Sequence, residues 1–306
     1  MTRTAISPRL AIKTLLNTDL WLVDTRRNAK YRTMNSSQRY EHLAETGSTN
    51  QDLLDLAQSG TASPTALLTD HQSAGRGRLG RSWHNDRQSI GPVQAMMGSV
   101  RQDWPVGHPN LAMMPFAVGL AARAACMRWV NRGAPLGLKW PNDLVVGVKE
   151  EHDPPSDPLL WFRKVAGILV ETVPLARRVA EVETLAVVAG VGINLHPVST
   201  SQDQPKLTDA ASLSELCSVV PTNTQLFEAL LEEFDRFSAM LRSEPHRVIA
   251  EYRTHCETVG HTVRTIMVDG PRIGEALDIA DDGALIVDWG DGVPDRVTYG
   301  DVSISS

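Results

Sequence analysis

The chain has 306 residues, of which 42% are hydrophobic and 22% are charged, as is typical of a globular protein. Its formal net charge of -6 excludes a uniformly basic nucleic-acid-binding protein, so any anion site must be a local cluster of cations. No apolar run approaches the length of a membrane span, and residues 1–9 lack the apolar core of a secretory signal.

The spacing of apolar residues predicts both helices and strands over most of the chain. Helices are predicted for three segments with apolar residues three or four positions apart: 48–60, 111–130 and 225–241. Strands are predicted for six short apolar or β-branched runs: 65–69, 93–100, 136–140, 144–148, 165–171 and 185–191. Ser48 and Gln51 form a capping-box pattern at the start of the first helix, and Gly60 marks its end.

Three regions differ from this pattern. Residues 1–42 are interpreted as an N-terminal extension or linker, with one short helix over 11–23. Residues 149–163 contain three prolines and many charges, which favours a surface excursion. From residue 260 onward, four short strands are separated by Asp-Gly turns, and a small β-barrel with a domain boundary near 257–260 is predicted. Those strands are predicted over 262–268, 273–279, 284–289 and 296–299.

The three cysteines, Cys126, Cys217 and Cys256, lie far apart and form no CxxC pair. We therefore expect reduced, packing thiols in a cytoplasmic protein, and we predict no protein-bound metal.

The densest cluster of glycine and charge is the loop 75–83, Gly-Arg-Gly-Arg-Leu-Gly-Arg-Ser-Trp. Glycine lets the backbone approach a ligand closely, and arginine presents a permanent charge suited to phosphate or carboxylate. We interpret it as a loop that closes on an anion, with a solvated basic turn as the alternative. Gly75, Gly77 and Gly80 also fit G-x-G-x-x-G, but the polar residues that follow lack the helix that a dinucleotide site requires.

Four further clusters each allow two interpretations. The run 48–50 suits a neutral polar headgroup or a plain helix cap. The run 139–143 places a cation, an amide and a carboxylate at a strand end, or forms an ordinary hairpin turn. Lys164 is a placed charge or a strand-edge residue. The glycines of 190–194 allow close approach of a neighbouring group or tight strand packing.

Five motifs in this order resemble the biotin–protein ligase family: GSTN (47–50), QSAGRGRLGRSW (72–83), LKWPNDL (138–144), KVAGILVE (164–171) and GVGINL (190–195). The resemblance implies an α+β fold, with a class II aminoacyl-tRNA-synthetase-like mixed sheet and flanking helices over 43–257. It also implies a C-terminal SH3-like β-barrel over 258–306.

The implied reaction joins biotin to AMP and then transfers it to a lysine of a biotin carboxyl carrier domain of an acyl-CoA carboxylase. Biotin, ATP and Mg²⁺ are the small molecules implied, and the protein is expected to be a monomer or homodimer. About 40 residues before the catalytic part are too few for a winged helix-turn-helix, so we expect a monofunctional ligase without DNA binding.

The resemblance also implies roles for individual residues. Catalysis is assigned to Arg78, Lys164 and Asp143, with the carboxylate orienting or deprotonating the acceptor lysine. The residues assigned to biotin are Ser48, Thr49, Asn50, Gln72, Arg76, Gly77, Arg78, Trp83 and Lys164. The residues assigned to ATP are Arg78, Lys139, Asn142, Lys164 and Asn194. We expect residues 76–83 to be disordered until a ligand binds.

The sequence departs from the family pattern at 90–97, where a methionine-containing run replaces the commoner asparagine-leucine-aromatic strand, and in the long excursion 149–163. Two rival functions are carried forward. One is a lipoate–protein ligase on a related fold, and the other is a biotin-binding regulatory module without turnover.

Overall fold

The computed structural model describes residues 39–83, 93–147, 162–175, 182–197, 210–267, 270–298, 300 and 302–305. The predicted helix 11–23 and the excursion up to residue 161 lie outside these residues.

A seven-stranded mixed sheet organises the larger part of the molecule. Its strands are β1 (Glu41–Leu43), β2 (Ala66–Thr69), β3 (Ala95–Pro105), β4 (Leu136–Lys139), β5 (Asp143–Gly147), β6 (Phe162–Pro174) and β7 (Thr184–Asn194). The strand order is β1-β2-β3-β7-β6-β5-β4, and only β1 and β2 run parallel. All six predicted strands are confirmed. The three-residue β1 was not predicted, because so short a strand carries no alternation.

Four α-helices of the described residues flank the sheet. They are α1 (Thr49–Gln58), α2 (Met114–Cys126), α3 (Asn223–Ser243) and α4 (Pro245–Thr254). Ser48 caps α1 as predicted, but Gln51 bonds Asp55 instead of reaching back, so only half of the capping box forms. Helix α4 was not predicted. It begins at Pro245, a residue that is favoured in the first turn of a helix.

Alternate residues of each central strand serve opposite faces of the sheet. On one face, Val188 of β7 packs with Leu53 of α1. On the other face, Val187 joins a larger core that includes Phe116 of α2 and Phe227 of α3. The sheet is therefore the middle of three layers, and the ends of its strands are the places where loops meet.

The C-terminal part is a five-stranded antiparallel sheet of the order β11-β10-β9-β8-β12. Its strands are β8 (Thr262–Met267), β9 (Gly270–Ile279), β10 (Leu285–Asp288), β11 (Asp295–Val297) and β12 (Val302–Ser305). A small C-terminal β-sheet unit was predicted and is confirmed, with β12 as an additional strand. Its two outer strands do not pair with each other, so within the described residues the predicted barrel is an open sheet.

All three cysteines are free thiols, as predicted. Of the helices in the described part of the chain, none combines the length and apolar character needed to cross a bilayer.

Candidate ligand-binding site

A cavity of about 150 Å³ opens where the start of α1, the arginine-rich loop and the central strands meet. Ten of the residues assigned from sequence to ligand binding line this cavity, so segments far apart in the chain converge on one place. Two of the ten are Asn142 and Lys164. The other eight are Ser48, Thr49, Asn50, Gln72, Arg76, Gly77, Arg78 and Trp83.

One wall of the cavity is a chain of neutral polar groups. The amide of Thr49 donates to Gln72 Oε1 at 2.9 Å, and the Thr49 hydroxyl lies 2.6 Å from the hydroxyl of Ser99. Ser99 in turn donates to Asn50 Oδ1 at 2.6 Å. Thr49, Asn50 and Ser99 are all buried, so a ligand on this wall would meet preorganised hydrogen-bonding groups rather than water.

Glycines on β6 and β7 leave room for the side chains of this wall. A Cβ on Gly190 would lie 2.2 Å from Asn50 Oδ1, and one on Gly192 would lie 2.6 Å from the indole of Trp83. The close approach predicted for the glycines of 190–194 is confirmed. The indole also lies against Gly167, where a Cβ would meet it at 2.9 Å.

The arginine loop is anchored on two sides of the cavity. Arg76 forms an ion pair with Glu171 of β6 at 2.6 Å. Arg78 donates to Asn142 Oδ1 at 2.8 Å and to the carbonyl of Gly300 in the C-terminal part at 3.0 Å.

Lys164 enters the cavity from β6 with its ammonium group 2.6 Å from Asp143 Oδ1, and Lys139 lies 3.7 Å from the other carboxylate oxygen. Burial works against ionisation of Asp143, but the charges of Lys164, Lys139 and Arg81 outweigh it. Its pKa is therefore held below the ordinary value. The carboxylate stays ionised at neutral pH and fixes the position of the Lys164 ammonium group.

Residues 43–194 match the model of the Biotin/lipoate A/B protein ligase family, and residues 258–305 match that of the Biotin protein ligase C terminal domain. The Biotin–[acetyl-CoA-carboxylase] ligase of Mycobacterium tuberculosis is 33% identical over 263 residues, which cover 85% of this chain and 86% of the relative. The chain belongs to the biotin/lipoate A/B protein ligase family.

Other members are consistent with this assignment. A Biotin–[acetyl-CoA-carboxylase] ligase of Paracoccus denitrificans is 28% identical over 80% of this chain and 92% of the relative. The structure of the biotin protein ligase of Aquifex aeolicus in complex with biotin and ATP aligns with a TM-score of 0.64 at 21% identity. That alignment covers 87% of this chain and 99% of the other, and it shows a shared fold. The resemblance inferred from the five motifs is confirmed.

Three residues assigned to the ligase chemistry lie outside the cavity lining. Lys139 and Asp143 stand behind Lys164 as its charged neighbours. The buried side-chain amide of Asn194 donates to the carbonyls of Ala211 and Lys164, at 2.9 and 3.4 Å. Asn194 therefore supports the backbone that carries Lys164, and the structure does not bring its side chain to the cavity surface.

Several residues of the site carry no assignment from sequence, and Ser99, Arg81 and Glu171 are three of them. Ser99 and Arg81 line the cavity, and Glu171 binds two of its lining residues. Arg81 and Glu171 lie within motifs recognised from the sequence, but nothing in a motif tells which of its residues point inward. Ser99 lies on β3 just after the divergent run 90–97 and outside the five motifs, and strand alternation decides which side chains of β3 face the ligand.

Proposed function

We propose that this protein activates biotin with ATP and transfers it to a lysine of a biotin carboxyl carrier domain of an acyl-CoA carboxylase, in the cytoplasm. One observation carries the proposal. Arg78 and Lys164, from segments more than 80 residues apart in the chain, line the same cavity as a neutral polar wall. A cationic end and a neutral polar end in one cavity match a ligand with an acid group at one end and a ureido ring at the other.

In the first step, a carboxylate oxygen of biotin attacks the α-phosphorus of ATP and pyrophosphate leaves. Two anions must approach each other, and negative charge builds up on the α-phosphate oxygens. We assign Arg78 and Lys164 to stabilise that charge, because preorganised cations are worth most in a cavity that excludes water. Arg76 and Gly77 then line the loop over the bound ligand, and Asn142 and Lys139 serve the nucleotide side.

In the second step, the amine of the carrier lysine attacks the acyl carbon and AMP leaves. A lysine of ordinary pKa is almost wholly protonated at neutral pH, so its proton must be removed. A carboxylate whose pKa is held low is a weak base, and Asp143 already pairs with Lys164. These contacts favour the orienting role for Asp143 over direct deprotonation.

The polar wall favours biotin over lipoate as the substrate. A ureido ring offers two N–H groups to the oxygens of Thr49, Asn50 and Ser99, whereas a dithiolane ring offers no hydrogen bond of comparable strength. Polar groups buried against such a ring would stay unpaired, and each typically costs about 1–3 kcal/mol. Incubation with each acid and labelled ATP tests this choice, and an adenylate formed only from lipoate would contradict it.

The described residues do not fit a protein-held Mg²⁺. Among them, no three histidine, cysteine, aspartate or glutamate side chains lie together in a metal-binding arrangement. The two carboxylates beside the cavity, Glu171 and Asp143, are engaged by Arg76 and Lys164. We expect Mg²⁺ to arrive on the phosphates of ATP, which is its usual mode of binding in nucleotide enzymes.

The direct test is the intact mass of a purified carrier domain after incubation with the protein, biotin and ATP. We expect one biotinyl group on one lysine, and an unmodified carrier would contradict the enzyme proposal in favour of a regulatory module. Lys164→Ala and Arg78→Ala should each lower the rate of adenylate formation by about 10²–10³, as for other preorganised electrostatic sites. Arg247→Ala, an exposed arginine paired with Glu244, is the matched control.

Asp143→Ala separates the two steps. We expect it to slow transfer from purified biotinyl-adenylate to the carrier more than it slows formation of the adenylate. Normal transfer by this variant would remove Asp143 from the second step.

A further inference from the structure

Glu171 lies beside the cavity on β6, and the proposed chemistry gives it no task. Its side chain is 28% exposed, and one of its oxygens accepts from Asn50 Nδ2 at 3.0 Å and from Arg76 Nη2 at 2.6 Å. This carboxylate therefore joins the start of α1 to the arginine loop.

The surroundings of Asn50 fix the orientation of its amide. One face of the amide meets the Leu169 carbonyl at 3.2 Å and the Glu171 carboxylate at 3.0 Å. Both groups only accept hydrogen bonds, so the nitrogen of the amide must point toward β6. Asn50 Oδ1 is then the atom that faces Ser99.

This orientation determines which group donates in each of the two hydrogen bonds that join Asn50, Ser99 and Thr49. Asn50 Oδ1 can only accept, so Ser99 donates its one hydroxyl proton to this oxygen, at 2.6 Å. The Thr49 hydroxyl has two acceptors within reach, Ser99 Oγ at 2.6 Å and Gln72 Oε1 at 3.2 Å. Because Ser99 has no proton left for the shorter contact, Thr49 donates its own proton to Ser99. With these protons committed, the three side-chain oxygens of Thr49, Ser99 and Asn50 can offer a ligand only lone pairs.

We propose that Glu171 is a positioning residue that keeps the side-chain oxygens of Thr49, Ser99 and Asn50 in an acceptor-only state and so selects a ligand whose ring carries N–H donors. The inference rests on the proposed function, since the two ring N–H groups of biotin are the donors it would select. Glu171 acts through Asn50 and Ser99 and does not itself need to touch the ligand.

The test compares two substitutions at this position with wild type by calorimetric titration without ATP. Glu171→Gln keeps an acceptor oxygen and loses the charge, whereas Glu171→Met keeps the length and loses the acceptor. We expect the glutamine variant to bind biotin within about threefold of wild type and the methionine variant to bind about tenfold more weakly, the usual effect of one lost hydrogen bond. The control is Glu233→Met, because Glu233 is also paired with arginines but lies on α3, away from the cavity.

A second ligand measures the polarity of the wall directly. The probe is a cyclic-carbonate analogue of biotin in which both ring N–H groups are replaced by oxygen. We expect wild type to bind biotin about a hundredfold or more tightly than the carbonate. The ring oxygens of the carbonate would place their lone pairs against those of the wall oxygens. The preference should shrink to about tenfold in Glu171→Met, where only the Leu169 carbonyl still holds the Asn50 amide and the reversed orientation, with its N–H groups along the wall, becomes accessible.

Substitution of Arg76 distinguishes the positioning role of Glu171 from a role as a mere counter-ion. If Glu171 served only as a counter-ion for Arg76, the glutamine and methionine variants would be equally damaged. In that case neither would change the preference ratio in an Arg76→Gln background. We expect the methionine substitution to narrow the ratio in that background too.

Several outcomes would overturn the inference. They are equal binding of biotin and the carbonate by wild type, a methionine variant indistinguishable from wild type, or a glutamine variant as impaired as the methionine variant. The comparison of biotin with the carbonate needs only wild-type protein, so this test stands even if a variant does not fold. Failure of wild type to bind biotin at all would instead reject the proposed function.

Discussion

At the residue scale, the site depends on places where a side chain is excluded as much as on the functional groups themselves. Gly190 and Gly192 are two positions apart on β7, so both face the cavity, and the space above them is filled by Asn50 and Trp83. A methyl group at either position would displace a proposed ligand contact without touching the ligand.

We therefore predict that Gly190→Ala weakens biotin binding by about tenfold or more. Its Cβ would lie 2.2 Å from Asn50 Oδ1, and forced overpacking of this kind typically costs about 1–3 kcal/mol. Titration calorimetry measures the affinity. The matched control is Gly147→Ala at the end of β5, where the nearest neighbour of the added carbon would be a ring carbon of Phe162 at 3.9 Å. Equal affinities for the two variants would contradict the packing argument.

The second residue-scale prediction concerns acid stability. The folded-state pKa of Asp143 lies below the ordinary value of 3.8. The ion pair with Lys164 therefore contributes its full stability above pH 3.8 and loses it as the pH falls through the lower folded-state pKa. At neutral pH, Asp143→Asn should lower the free energy of unfolding by about 1–2 kcal/mol, since it leaves Lys164 without its counter-ion while the 38% exposure of that side chain lets water screen its charge.

Denaturant titrations at a series of pH values would check this prediction. The difference in unfolding free energy between wild type and Asp143→Asn should be constant at neutral pH and should shrink below pH 3.8. A difference that does not change with pH would mean that the carboxylate contributes by packing alone.

At the element scale, the arginine loop combines few internal bonds with local strain. The amide of Gly77 donates to the Arg81 carbonyl at 2.7 Å, and that of Trp83 donates to Gly75 at 2.9 Å. Leu79 is the one non-glycine residue with a positive φ among the described residues, at 56°, and it is 76% exposed. A loop with a strained, solvent-exposed apex opens easily.

We predict that biotin and ATP protect residues 75–83 from hydrogen exchange. The amides of this loop should exchange rapidly in the ligand-free protein and at least about tenfold more slowly in the complex, because closure shields the adenylate from water. Mass spectrometry of peptic fragments gives the rates, with α3 as the internal reference. Equal exchange in both states would contradict closure, and disorder of the free loop stays a prediction until then.

At the scale of the whole molecule, the C-terminal sheet is joined to the catalytic part beside the site. Trp140 precedes the cis proline of the KWPND motif, and its indole nitrogen donates to the Gly283 carbonyl at 3.0 Å. A Cβ on Gly283 would lie 2.3 Å from the ring of Phe116 on α2. Arg78 of the arginine loop also donates to the Gly300 carbonyl, so the C-terminal sheet contacts the loop to which we assign catalysis.

We predict that Gly283→Ala lowers the melting temperature by several degrees more than Gly292→Ala. Both glycines have positive φ, at 88° and 72°, so each substitution carries a similar backbone penalty. Only Gly283 faces a neighbour within 4 Å, and the extra loss therefore reports the contact between the two parts. Calorimetric melting of both variants tests this, and equal shifts would show that the interface tolerates the change.

Much of the fold was predictable because long periodic segments encode it locally. Helix α3 has apolar residues at helical spacing behind a complete capping box of Thr222 and Gln225, and β6 and β7 each contain a continuous apolar run. Helix α4 and strands β1 and β12 were missed, since each is short and is held in place by what it packs against. Strand pairing also extended β3 well past the apolar run that predicted it, into polar residues such as Arg101 and Asp103.

The sequence by itself determined the family, the order of the main elements and which cations are proposed to serve the chemistry, because these are written in contiguous motifs. Only the tertiary structure decided that Arg78 and Lys164 line one cavity, that Asn194 turns away from it, and that Ser99 and Glu171 complete the polar wall. The physical reason is that hydrogen-bond direction and burial depend on neighbours from other elements of the fold, and no local sequence pattern records which neighbour each side chain meets.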